Sequence, residues 1–165
     1  MNKDIVPQDY TLGLALLDAI PVILFGAACL LLWRMTSSIP ILIGGIICFV
    51  AGILKVLWKI IVVTMKKNIW PLFMQMRIGM PAGFILIIAG VAVGAITGSG
   101  RAFFAAMAHF IPLVLLTVSF IGLFGMIMCS RKLDSVKASS NWIEEICNTL
   151  AQGAFLASMI VAYTL

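Results

Sequence analysis

The alternation of apolar and polar positions divides the chain into five long apolar runs separated by short polar intervals. A helix needs about 20 apolar residues to cross a bilayer. By that rule the runs predict membrane-spanning helices over about 12–33, 39–65, 79–98, 102–129 and 141–165. The fold class expected is therefore all-α, a polytopic five-helix membrane bundle forming one domain over 1–165.

The last run organises the rest. It is long enough to span, yet Asn141, Glu144, Glu145, Asn148, Thr149 and Gln152 interrupt it. At 100° per residue these six fall within one sector of roughly 140°. A polar stripe inside hydrocarbon needs partners. The other runs supply charges that can meet it: Asp18 in the first span, Lys55 and Lys59 in the second, and Arg77 just before the third. Three acids (Asp18, Glu144, Glu145) stand against three bases (Lys55, Lys59, Arg77). Mutual pairing lowers the cost of each. Each also has a plainer reading. Asn141 with Glu144 three residues later resembles a capping box, and lysines near a helix end can snorkel to the interface.

Other features predict packing. Pro21 kinks the first span. Gly44, Cys48 and Gly52 give the second a small-residue face, and Gly90, Gly94 and Gly98 give the third a ridge. Gly122 and Gly125 predict close contact in the fourth. Trp58 and Trp70 read as interface anchors. The link 66–78 is amphipathic and basic and is expected to lie along the membrane surface, with Pro81 in the first turn of the following helix. His109 is placed about two turns inside the fourth span, as a helix-to-helix hydrogen-bonding group.

Composition agrees with the pattern. The chain is 63% hydrophobic and 10% charged, with a mean hydropathy of +1.19, against about 25% charged residues in a soluble domain. The net charge of +5 is explained by loops rather than by nucleic acid, which is not expected as a partner. Lys3, Lys66, Lys67, Arg77, Arg131, Lys132 and Lys137 fall on one side of the predicted topology, and Arg34 and Arg101 on the other. The excess of Lys and Arg places the N-terminus in the cytoplasm and the C-terminus outside. The expected location is the plasma (inner) membrane of a prokaryote. The acidic start of the chain and the length of the first run do not match a cleavable signal peptide.

No enzyme chemistry stands out. The four cysteines are dispersed singly in apolar runs, which suits small buried hydrophobes and predicts no metal. Adjacent Glu144 and Glu145 superficially resemble the glutamate pair of some intramembrane proteases, but the histidine motifs of those enzymes are absent. The aromatic–proline signatures of tryptophan-rich sensory or translocator proteins are absent too. So is the single first-helix glutamate of small multidrug transporters. The sequence names no cofactor. Its leading functional reading is a membrane protein that binds or transports a small polar solute or ion in a cytoplasm-facing cleft. Glu145, Asn148 and Gln152 form the core of that site, and Glu144, Asp18, Lys55, Lys59 and Arg77 complete it. The alternatives are an accessory or structural subunit, meeting a partner membrane subunit or a second copy, and a membrane enzyme acting on a lipid.

Overall fold

The computed structural model describes residues 9–133 and 137–165. Lys3 and the centre of the basic loop, 134–136, lie outside the described residues. Six helices follow one another: α1 (Leu12–Thr36), α2 (Ile39–Met65), α3 (Trp70–Thr97), α4 (Arg101–Met107), α5 (Phe110–Lys132) and α6 (Ala138–Thr164). All but α4 are long and apolar enough to cross a membrane. The protein is a helical membrane bundle in contact with lipid, as the hydrophobic pattern predicts.

The termini of the helices follow local chemistry. The Thr11 hydroxyl accepts from the Leu14 N–H and caps α1. Ser37 takes a left-handed conformation, φ 53°, and its N–H closes α1 on the Trp33 carbonyl. Pro40 and Pro71 occupy the first turns of α2 and α3, where a missing N–H removes no bond. Gly98, at φ 76°, ends α3 in a left-handed conformation.

The helices lie in the contact order α3, α2, α1, α6, α5. This is an arc, and its two ends, α3 and α5, do not pack closely on each other. Glycines make the α2–α3 contact tight. A Cβ added to Gly44 would stand 2.5 Å from the Gly83 carbonyl oxygen, and one on Gly83 would collide with the Cys48 sulfur. At Gly90 the neighbours are Ile41 and Ser38, whose Oγ donates to the Gly90 carbonyl. Gly52 receives Val22 of α1, and Gly122 of α5 receives Ala151 of α6.

Several local expectations are corrected. The fourth run is two helices, not one. Pro112 cannot donate to the carbonyl of Ala108, and the chain breaks just before it, with His109 extended at ψ 146°. His109 is therefore exposed at the start of α5, not inside a span. The segment 66–78 is not a separate surface helix, because α3 already starts at Trp70. Pro81 consequently lies inside α3. The last span starts at Ala138, with Lys137 as its cap residue. Asn141 and Glu144 therefore form no capping box, and Asn141 Nδ2 donates to the Lys137 carbonyl instead. Trp58 is no interface anchor. It is 1% exposed, packs on Tyr10 and Phe73, and donates from Nε1 to Asn68. Gly98 is a helix terminator rather than part of a ridge, and a Cβ at Gly125 would meet nothing within 4 Å.

Candidate functional site

Four charged side chains from three helices meet in the interior. Asp18 lies six residues into α1 and Glu145 seven into α6, while Lys59 lies six residues before the end of α2 and Lys55 ten. At 1.5 Å per residue all four are about 9–15 Å from the same end of the bundle. Lys55 Nζ stands 2.9 Å from Asp18 Oδ1 and 2.8 Å from Glu145 Oε1. Lys59 Nζ stands 3.0 Å from Asp18 Oδ2 and 2.8 Å from the same Glu145 oxygen. Two acids and two bases thus alternate in a closed ring with no formal net charge. Their spacing explains the ring. Lys55 and Lys59 are four apart and share one face of α2, so both heads reach a carboxylate pair presented by α1 and α6.

Three members are closed off. The Asp18 and Lys59 side chains are 1% exposed and Glu145 is 4%, whereas Lys55 is 20% exposed. Snorkelling thus does not describe Lys59. Tyr10 packs beside the ring. Its phenol is buried, hydrogen-bonds Asn141, and stands with its ring centroid 6.0 Å from Lys59 Nζ. Burial raises the Tyr10 pKa above that of a free phenol, so the hydroxyl stays neutral.

The open side of the ring faces a cavity of about 400 Å³ between the arms of the arc. Its wall carries Asp18 and Pro21 of α1, Lys55 of α2, Arg77 and Met80 of α3, Ser130 of α5, and Glu144, Glu145, Asn148 and Gln152 of α6. The structure therefore brings seven of the eight candidate site residues to one cavity. Lys59 is the exception and sits behind the wall, bonded to the two acids. Among the described residues, neither Glu144 nor Arg77 has an ion-pair partner. Arg77 instead lies over the Phe73 ring at 5.5 Å. Gln152 Nε2 donates to Asn148 Oδ1 at 3.3 Å, while Thr149 turns back to the Glu145 carbonyl. Glu144 Oε1 and Gln152 Oε1 are buried without a hydrogen-bond donor.

A second, larger cavity of about 630 Å³ continues from the first toward the other end of the bundle. Its wall is apolar, with Leu32, Ile87, Val91, Phe103, Met107, Leu116 and Met159 among its members. Phe25, Phe84, Leu123 and Gln152 border both cavities. Phe25 and Phe84, with ring centroids 5.3 Å apart, form a waist between them. Sequence reasoning found the polar residues because charge inside an apolar run is conspicuous. It missed the waist and the apolar chamber, because a phenylalanine lining a cavity is spelled like one packed in a core.

Among the described residues no group of three or more His, Cys, Asp or Glu side chains could hold a metal ion. No family model matches the chain, and no curated protein or solved structure matches it significantly.

Proposed function

We propose that this membrane protein binds a small polar or charged solute in the cavity beside the Asp18–Lys55–Lys59–Glu145 ring, and that this end of the bundle faces the cytoplasm. The observation that carries the reading is the pair Glu144 and Arg77. Both line a cavity of about 400 Å³, both carry formal charge, and neither is matched within the described residues. Ionisable groups inside a membrane mark a substrate or ion path unless they pair with each other. The ring accounts for four such groups as mutual partners and leaves Glu144, with one oxygen buried, and Arg77, which is exposed, for a ligand. Asn148 and Gln152 supply orienting amides. The volume lies in the range of small-molecule sites.

The orientation rests on the basic residues. Lys66, Lys67, Arg131, Lys132 and Lys137 surround the end of the bundle where the ring lies, as expected for a cytoplasmic side.

Native mass spectrometry of the protein, purified in mild detergent from its own host, tests the binding reading. A stoichiometric small molecule is expected on the wild type and is lost in Asn148→Leu, with thermal stability retained. A bare monomer, or the same adduct on both proteins, overturns it. A stoichiometric second protein in place of a small molecule favours a subunit role.

A further inference from the structure

We infer that the occupant of the cleft is a zwitterionic amphiphile: its head lies in the polar chamber, its hydrocarbon chain in the apolar one, and its cationic group carries N–H donors. This rests on the polar chamber being a binding site and adds the class of ligand.

Shape is the first argument. The two chambers are one cleft narrowed at Phe25 and Phe84, polar at one end and apolar at the other. A small polar solute fills only the first. A wholly apolar molecule fills only the second. A molecule with a charged head and a chain matches both. The cleft lies between α3 and α5, the two helices that do not close on each other, and residues of its wall on these helices, such as Ile88 and Phe120, remain exposed. An amphiphile can therefore enter sideways from the bilayer without leaving it.

Charge is the second argument. The ring is neutral, and beyond it the chamber wall adds one acid, Glu144, and one base, Arg77. A ligand with net charge would leave that charge uncompensated in a low-dielectric site. A zwitterion leaves none, with its anion on Arg77 and its cation on Glu144.

Hydrogen bonding is the third. Three buried oxygens lack a hydrogen-bond donor: Asp18 Oδ2, which Lys59 Nζ approaches at 3.0 Å as an ion pair, and Glu144 Oε1 and Gln152 Oε1, which have no such neighbour; a buried acceptor without a donor is costly. Gln152 is 6% exposed and belongs to both chambers. Its bond to Asn148, at 3.3 Å, is beyond the usual N–H···O range, so the amide turns toward a ligand at little cost. The terminal torsion of Glu144 is equally soft. A primary ammonium supplies the donor that Glu144 needs, and a quaternary ammonium supplies none.

The test titrates the purified protein in detergent with three dioleoyl lipids and reads one-to-one binding by native mass spectrometry. The lipids are phosphatidylethanolamine, phosphatidylcholine and phosphatidylglycerol, and free phosphoethanolamine is the chainless control. Phosphatidylethanolamine is expected to bind about tenfold or more tightly than phosphatidylcholine, since charge-assisted hydrogen bonds distinguish them. Glu144→Gln is expected to erase that preference. Leu116→Trp, which fills the apolar chamber, is expected to weaken the lipid and spare phosphoethanolamine. Equal binding of the three lipids overturns the inference. Phosphoethanolamine binding as tightly as the lipid also overturns it, but leaves the polar chamber standing as a solute site. If Asn148→Leu changes the binding of no probe, the polar chamber itself is rejected.

Discussion

Glu145 Oε1 accepts from both lysine ammonium groups at 2.8 Å. Removing its charge leaves two lysines, Lys59 buried and Lys55 half-buried, facing a single aspartate. Breaking a buried ion pair from one side costs about 3–5 kcal/mol. Glu145→Gln is therefore expected to lower thermal stability in detergent by roughly that amount. Lys59→Met combined with Glu145→Gln leaves the neutral Lys55–Asp18 pair. The double variant is expected to recover much of the loss, giving a large coupling energy in a double-mutant cycle. Additive effects of the two changes would show that the ring is not an electrostatic unit. The sequence announced this cluster, since an even number of opposite charges in apolar runs has few ways to be tolerated. It did not reveal which members are sealed. That depends on tertiary packing, which also brings Tyr10 beside Lys59.

At the scale of elements, glycine separates contacts that cannot yield from positions that are free. A methyl group on Gly44 meets the backbone oxygen of Gly83 at 2.5 Å, and backbone cannot swing aside. Gly44→Ala is expected to destabilise the α2–α3 pair by about 1–3 kcal/mol, the usual cost of overpacking. Gly125→Ala, with nothing within 4 Å, is expected to leave thermal stability unchanged or raise it by up to about 1 kcal/mol through helix propensity. A similar loss for both would mean that Gly44 is not at a close crossing. The glycine spacing made such crossings legible, but not which glycines take part: Gly122 contacts Ala151, whereas Gly125, three residues on, contacts nothing. Helix ends were the least legible. Pro81 reads as a helix start, yet α3 begins at Trp70 with Pro71 in its first turn and continues through Pro81.

For the whole molecule, five apolar runs were enough to predict a membrane bundle, and the second helix was placed at its observed bounds. The arc could not be read, because apolar faces that meet a helix and those that meet lipid have the same composition. α5, for example, is apolar over most of its length yet buries only Pro112 and Ser119. The proposed orientation has a direct check. In a cysteine-free background, Ser99→Cys, exposed between α3 and α4, is expected to react with a membrane-impermeant maleimide on intact cells, and Lys67→Cys only after lysis. The reverse pattern would invert the bundle and open the polar chamber outward.

The ring also bears on the order in which the protein is made. Its lysines and Glu145 are 86 and 90 residues apart in the chain, and synthesis proceeds from the N-terminus. Once α1 and α2 are in the bilayer, two ammonium groups share the single carboxylate of Asp18. The nascent bundle then carries one excess positive charge in its interior, and the arrival of α6 removes it. The sixth helix is thus the counter-ion of the second, and a ribosome that stops before Glu145 releases a chain whose membrane-embedded charges do not cancel.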